Sequence, residues 1–120
     1  MTAFNFKPVF AEMVEANEKF QTIRRLRKKH NPYPGEKLQL YCGMRTKACK
    51  KIKDVRCISV DKIWIEYERI NINGKELSQA ERNEIAYADG FRHNPKTLYE
   101  FFLKQYGFPF EGILIRWENI

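Results

Sequence analysis

The sequence predicts an α+β fold, built as a small, partly closed β-barrel with an N-terminal helix and two late helices. Segments with the pattern of strands follow one another through the middle of the chain, whereas helical patterns lie near its two ends. This grouping is typical of α+β domains, because strands and helices would alternate in a parallel sheet. With 120 residues, 43% of them hydrophobic, the chain is long enough to bury one core, and we expect a single domain over residues 1–120.

The first helix is predicted to begin at Pro8, since the first helical position tolerates the missing N–H of proline. Asn17 is suited to end it, because asparagine tolerates the left-handed conformation that often follows a helix. The next segment alternates apolar and polar residues. As a strand it would place Phe20 on the face opposite to Lys19 and Gln21. The apolar stripe of the helix consists of Val9, Phe10, Met13 and Val14.

The middle of the chain predicts two further strands. Prolines and a glycine between residues 31 and 35 indicate a stiff loop. Residues 38–41 alternate as a strand, and residues 46–54 read as basic and irregular. Residues 55–67 give the strongest strand pattern, but the alternation changes phase near Asp61-Lys62. We therefore expect a β-bulge there, which is how small barrels bend a long strand.

The last third of the chain predicts a hairpin, two helices and a final strand. Asn73-Gly74 is the strongest short hairpin pattern. Ser78 and Glu81 have the spacing of a capping box, so a helix is expected from there to about residue 88. The Asn-Pro pair at 94–95 is predicted to open a second helix that ends at Gly107. Residues 110–117 read as the last strand.

Charge is distributed unevenly along the chain, whose net charge is +7. Residues 19–62 hold fourteen Lys and Arg against three acids, a local balance of +11, whereas the remainder has a balance of −4. Such asymmetry predicts a positive surface that attracts a polyanion such as RNA. No apolar run reaches the roughly 20 residues of a membrane span, and no secretory signal is visible. We therefore expect a cytoplasmic monomer without a membrane partner.

The cysteines and histidines predict neither a disulfide framework nor a metal site. Cys42, Cys49 and Cys57 are an odd number without Cys-x-x-Cys spacing. His30 and His93 lie far apart and lack a second ligand at zinc-finger spacing. We expect no cofactor.

Four blocks of the sequence resemble the ASCH family, which belongs to the PUA-like superfamily of nucleic-acid-binding folds. The residues Asn17-x-Lys19-x-x-Thr22-x-Arg24 have the spacing of the ASCH signature Gly-x-Lys-x-x-Glu-x-Arg, in which Thr is a common alternative to Glu. The other blocks follow in the family's order: Pro34-Gly35-Glu36-x-Leu38-x-Leu40-Tyr41-x-Gly43-x-Arg45, Ala88-Asp89-Gly90-Phe91 and Ile113-Leu114-Ile115-x-Trp117. The resemblance covers nearly the whole chain and implies the PUA-like barrel.

The resemblance also implies a site at Lys19 and Thr22. With threonine at position 22, the sequence resembles a subgroup of the family that includes a bacterial amidohydrolase of N4-acetylcytidine. In that enzyme a Lys and a Thr of this motif act with a later Glu. Asp89 is the nearest counterpart of that Glu, and Glu84 is a second candidate. A lysine with a lowered pKa can take the proton of the Thr22 hydroxyl, which then attacks an amide carbonyl or orients a water.

Further residues are candidates for ligand binding. Arg24 and Arg45 present forked donors for a carbonyl oxygen or a phosphate, and Tyr41 or Phe91 can stack on a base. Two basic runs are candidates for a nucleic-acid groove: Arg25, Arg27, Lys28 and Lys29 in the first, and Lys47, Lys50, Lys51 and Lys53 in the second. The alternative is structural: a simple Lys19–Asp89 ion pair, a hydroxyl that bonds a turn, and a solvated basic face.

The sequence thus leaves several functions open. The first hypothesis is a module that binds RNA, or a modified nucleotide within it, through the basic groove and the Lys-x-x-Thr-x-Arg site. The second is a small amidohydrolase that acts on an N4-acylated cytidine. Metal-assisted ribonuclease activity is reported for relatives of this fold but ranks last, since the sequence shows no compact carboxylate or histidine cluster. A phage factor that binds a host protein is a further alternative.

Overall fold

The computed structural model describes residues 1–120, which form seven strands and three helices. The α+β class, the N-terminal helix and the two late helices are confirmed. In chain order the elements are β1 (Thr2–Phe6), α1 (Pro8–Glu15), β2 (Gln21–Arg24), β3 (Lys37–Cys42), β4 (Lys50–Glu66), β5 (Arg69–Ile72), β6 (Lys75–Glu76), α2 (Gln79–Asp89), α3 (Lys96–Tyr106) and β7 (Phe110–Asn119). No helix is both long and apolar enough to cross a membrane.

The 17-residue strand β4 organises the single mixed sheet. Its first half pairs with β3, its last residues pair with β5, and β7 pairs with most of its length. β1 lies parallel to β3, whereas every other pairing is antiparallel. β2 pairs only with β7, and β1 only with β3. The path from β1 through β3, β4 and β7 to β2 therefore ends in two edge strands.

The sheet is not closed into the predicted barrel: β2, the first strand that the sequence predicts, pairs with the last strand β7, but β1 and β2 do not pair with each other. Arginine side chains reach across between them instead. Arg24 Nη2 donates to the carbonyl oxygen of Asn5 at 2.7 Å, and Arg27 Nη2 donates to that of Ala3 at 2.6 Å. The carbonyl groups that a closing strand would need are thus bonded to guanidinium groups, and the sheet stays open.

Of the other local predictions, some are confirmed and some are wrong. The Asn73-Gly74 turn is confirmed, with φ of 52° and 84° at the two residues, and both hydrogen bonds of the Ser78 capping box are present. β1 was not predicted, although Thr2, Phe4 and Phe6 alternate inward. The prediction that residues 46–54 are irregular is wrong for the second half of that segment, since β4 begins at Lys50.

The bulge in β4 exists but lies earlier than expected. The register with β7 shifts between Cys57 and Ser59, not near Asp61-Lys62. Ile58 is the extra residue, and its side chain is 53% exposed. Val60 packs on the side of α1, whereas Ile63 and Ile65 pack on the side of α2 and α3, so the change of phase near Asp61-Lys62 marks where the buried side of the strand changes.

The hydrophobic core has two parts, which lie on the two sides of the sheet. Alternate side chains of β7 belong to different parts. Ile113, Ile115 and Trp117 pack with α1, whereas Leu114 packs with α2 and α3. The three inward residues predicted for the last strand are confirmed on one side. Aromatic residues of both parts meet beside β2, and this is where the candidate site lies.

Candidate functional site

A cavity of about 230 Å³ opens between β1, β2, α1 and α3. Two of its aromatic walls, Phe6 and Phe10, belong to the core part beneath α1, and two others, Phe101 and Tyr106, lie on α3. The polar lining residues are Asn5, Lys7, Lys19, Thr22, Arg24, Asp89 and Gln105. Lys19, Thr22, Arg24 and Asp89, all predicted from sequence, therefore share one cavity.

Lys19 and Asp89 meet in space. The ammonium group of Lys19 lies 3.2 Å from Asp89 Oδ1 and donates to the main-chain oxygen of Asp89 at 2.6 Å. Gln21 Nε2 donates to the same Oδ1 at 3.2 Å. The side chains of the pair are only 3% and 8% exposed, so both charges are held away from water.

Burial changes the proton affinity of both partners. Desolvation lowers the pKa of Lys19, and the nearby carboxylate of Asp89 opposes this only in part. Desolvation likewise raises the pKa of Asp89, against the opposing effects of Lys19 and Gln21. In both groups burial disfavours the charged form, a perturbation that is common at functional sites.

Local backbone structure explains how the chain brings the pair together. Asn17 adopts a φ of 59° after α1, which confirms the predicted end of that helix and redirects the chain into β2. Phe20 does face away from Lys19 and Gln21, but here the polar residues are buried and Phe20 is 40% exposed. Asp89 is the last residue of α2, and left-handed Gly90 follows it at a φ of 111°.

Thr22 is bonded to Arg24 rather than to Lys19. Arg24 Nε donates to Thr22 Oγ1 at 2.9 Å, and the guanidinium group also lies 5.0 Å from the Phe6 ring centroid. Burial lowers the pKa of Arg24, yet an arginine side chain stays protonated in proteins. No hydrogen bond joins Lys19 to Thr22 in this conformation.

Four other candidates lie outside the cavity. Arg45 is exposed in the loop after β3, and half-buried Tyr41 lies in β3 opposite Asn5 and Lys51. Phe91 packs behind the cavity wall, with its ring centroid 5.6 Å from those of Phe10 and Phe101. Glu84 lines a separate depression. The geometry therefore favours Asp89 over Glu84 as the acid of this site.

The two basic runs differ in how far their charges are already engaged. In the first, Arg25 and Arg27 donate to main-chain oxygens, whereas Lys28 and Lys29 are exposed and form no ion pair or hydrogen bond. In the second run, Lys47 is exposed, Lys50 pairs with Glu15, Lys51 pairs with Asp54, and Lys53 donates to Asn17. The first run lies beside β1 and the second begins before β4, so β1 and β3 lie between the runs, about three strand spacings or roughly 14 Å.

Several cavity residues were missed from sequence. Phe10 was assigned to the apolar stripe of the first helix, and neither Phe101 nor Lys7 belongs to a sequence pattern that indicates a binding site. Gln21 lies outside the cavity lining but bonds Asp89, and it could have been found, because it is two residues from Lys19 and a buried lysine needs polar neighbours. Asn5 belongs to the unpredicted strand β1. Gln105 and Tyr106 reach the cavity only through the docking of α3.

Comparisons with protein-family models, with curated proteins and with solved structures find no match to this chain. Membership of the ASCH family therefore remains a prediction. Nowhere in the chain do three or more His, Cys, Asp or Glu side chains lie together in a way that could hold a metal ion.

Proposed function

We propose that this chain binds RNA, or a modified nucleotide within it, with one base inserted into the cavity beside Lys19, Thr22, Arg24 and Asp89. The observation that carries the proposal is a cavity that combines aromatic walls with unpaired positive charge next to an exposed basic loop. The resemblance to the ASCH and PUA-like families supports the same function.

The dimensions of the cavity suit a small ring system. Its volume of about 230 Å³ lies below the range of about 300–1,000 Å³ that is usual for drug-sized ligands. The rings of Phe6, Phe10, Phe101 and Tyr106 offer apolar and stacking contacts, which single-stranded RNA readers use for bases that are turned out of a helix. Thr22 and Arg24 supply donors, and Asp89 supplies an acceptor, for the polar edge of a base.

The exposed loop provides contacts to the backbone of the nucleic acid. Lys28 and Lys29 have no partner within the chain, so binding a phosphate would break no existing ion pair. Each phosphate contact on a single strand lowers the slope of log affinity against log salt by about 0.7.

Charge reversal tests this proposal. We expect the Lys28→Glu/Lys29→Glu variant to lose most of its affinity for a short single-stranded RNA, measured by fluorescence anisotropy at several salt concentrations, and to show a shallower salt slope. The matched control is Lys75→Glu/Lys96→Glu, which changes the net charge equally on β6 and at the start of α3, outside the cavity lining. Unchanged affinity in the Lys28/Lys29 variant, or an equal loss in the control, would refute specific binding by this loop.

Amide hydrolysis is a second candidate, favoured by the buried lysine whose pKa is lowered. A neutral Lys19 amine can accept the proton of Thr22 as its oxygen attacks an amide carbonyl, while Arg24 stabilises the negative oxygen. The C–N bond then breaks as Lys19 gives that proton to the departing amino group of the cytidine, and a water hydrolyses the ester left on Thr22 to release the acid. Because Lys19 bonds Asp89 in the present conformation, its amine must turn toward Thr22 when substrate binds.

Hydrolysis is tested by incubating the protein with N4-acetylcytidine and following the release of cytidine by chromatography. Turnover by the wild type that is lost in Thr22→Ala and in Lys19→Ala would establish the enzyme. Turnover retained in Thr22→Ala would exclude the mechanism. No release by folded wild-type protein would leave binding as the function of the cavity, and Thr22→Ala should then change RNA affinity only slightly.

A further inference from the structure

Three cations surround the mouth of the cavity without an acidic partner. Lys7 and Arg24 line the cavity, and Arg25 packs on Tyr106, which also lines it. None of the three takes part in any ion pair of the chain. The one cavity acid, Asp89, is already paired with Lys19. The mouth therefore carries positive charge that the protein itself does not neutralise.

Lys7 is held only weakly in its present position. Its ammonium group lies 5.0 Å from the centroid of the Phe101 ring and 3.4 Å from Gln105 Oε1, which is near the outer limit of a hydrogen bond. The residue is exposed, so turning its ammonium group toward a ligand would neither open the core nor break an ion pair.

Arg24 and Arg25 both have N–H donors that are not used within the protein. A guanidinium group carries five N–H donors. Arg25 uses one on the carbonyl oxygen of Tyr106 at 3.1 Å, with its guanidinium group 4.9 Å from the Tyr106 ring centroid. Arg24 uses donors on Thr22 and Asn5. Lys7 contacts Phe101 and Gln105, and Arg25 contacts Tyr106, so both cations lie beside the second half of α3, whose residues line the cavity.

We propose that Lys7, together with Arg24 and Arg25, forms a phosphate subsite that holds the phosphate group of the nucleoside whose base occupies the cavity. This inference rests on the proposed function. It identifies the ligand more closely, as a phosphorylated nucleotide and not a free nucleoside. A phosphate matches the mouth because its charge neutralises several cations at once, and its oxygens accept from both lysine and arginine donors. Lys7 lies outside the Lys-x-x-Thr-x-Arg motif and supplies specificity for the charged form.

The test compares the common ribonucleosides with their 5′-monophosphates, each titrated into the full chain and followed by NMR chemical shifts. We expect the monophosphates to bind wild type about tenfold more tightly, the factor typical of one charge-assisted contact. Lys7→Gln should bind the monophosphates about tenfold more weakly than wild type and so lose that advantage. Lys62→Gln, which removes the same charge from an exposed position outside the cavity, should retain it.

Each other outcome has a definite meaning. Equal affinity of wild type for nucleosides and monophosphates would overturn the phosphate subsite while leaving nucleotide binding in place. If Lys7→Gln still binds monophosphates more tightly than nucleosides and loses only thermal stability, Lys7 stabilises the carboxyl end of α3. That result would overturn its assigned role in phosphate binding. No binding of nucleoside, monophosphate or RNA would overturn the proposed function itself.

Discussion

The buried ion pair between Lys19 and Asp89 is suited to a double-mutant cycle. Lys19→Met replaces the ammonium group by a side chain of similar length, and Asp89→Asn removes the carboxylate charge while keeping an oxygen that can accept from Gln21. The four proteins of the cycle are the wild type, each single variant and the double variant. The free energy of unfolding of each comes from urea denaturation, followed by the fluorescence of Trp64 and Trp117.

The structure sets the expected magnitudes. Lys19 is 3% exposed and lies 3.2 Å from Asp89 Oδ1, so removing either partner leaves the other charge buried without its counter-ion. Breaking such a pair typically costs about 3–5 kcal/mol. A domain of this size is usually stable by about 5–15 kcal/mol, so each single variant should still fold. The double variant leaves no unpaired charge, and its loss should fall short of the sum by about 2–3 kcal/mol.

Additivity would refute this reasoning. If the losses of the two single variants sum to that of the double variant within about 0.5 kcal/mol, Lys19 and Asp89 do not stabilise each other. The slope of unfolding free energy against urea must stay constant across the cycle for the comparison to hold. A folded double variant that no longer binds ligand would show that the pair has a role in the site beyond its role in stability.

Two further predictions follow from the same region. The pKa of Asp89 is raised above its ordinary value of 3.8, so the folded state holds its proton more tightly than the unfolded state does. As the pH falls from neutral through the raised pKa, the wild type should gain stability relative to Asp89→Asn; urea unfolding at several pH values measures this, and a relative loss would contradict the direction of the shift. Gly112→Ala would place a methyl group 2.8 Å from the Phe110 ring and still closer to the carbonyl oxygen of Arg24. We expect it to lose about 3 kcal/mol by the same assay, whereas Glu111→Ala at the exposed neighbour should lose less than about 0.5 kcal/mol.

Most of the secondary structure could be predicted because its causes are local. The Asn73-Gly74 turn requires left-handed backbone that asparagine and glycine adopt readily, and the Ser78 capping box is a contact between residues three apart. The alternation of Ile113, Ile115 and Trp117 directly reports one buried face of β7. Local interactions of this kind can be predicted without the tertiary structure.

The open sheet could not be predicted, because it depends on contacts between distant segments. β1 is a five-residue strand whose partner, β3, begins more than thirty positions later, and the parallel pairing leaves no hairpin pattern in the sequence. Arg24 and Arg27 were assigned to ligand binding and nucleic-acid binding. That they donate to the main-chain oxygens of Asn5 and Ala3 depends on where β1 lies.

The candidate site was predictable in its polar centre and not in its walls. Lys19, Thr22 and Arg24 lie in or next to one short strand, and the position of Asp89 at the end of a helix could be inferred from the capping pattern and Gly90. Lys7 reaches the same cavity from a different segment. It carries no local pattern that separates a ligand-binding lysine from a solvated one.

The arginine contacts to β1 also affect how readily this edge of the sheet can pair with another molecule. A strand at the end of a sheet presents unpaired main-chain groups to which a strand from another molecule can add. In β1 the outward carbonyl groups of Ala3 and Asn5 are each bonded to a guanidinium group, which brings positive charge to the edge. An incoming strand would have to displace both arginines before it could form a ladder. The β1 edge is thereby protected from adding a strand of another molecule, much as closure would have protected it in a barrel.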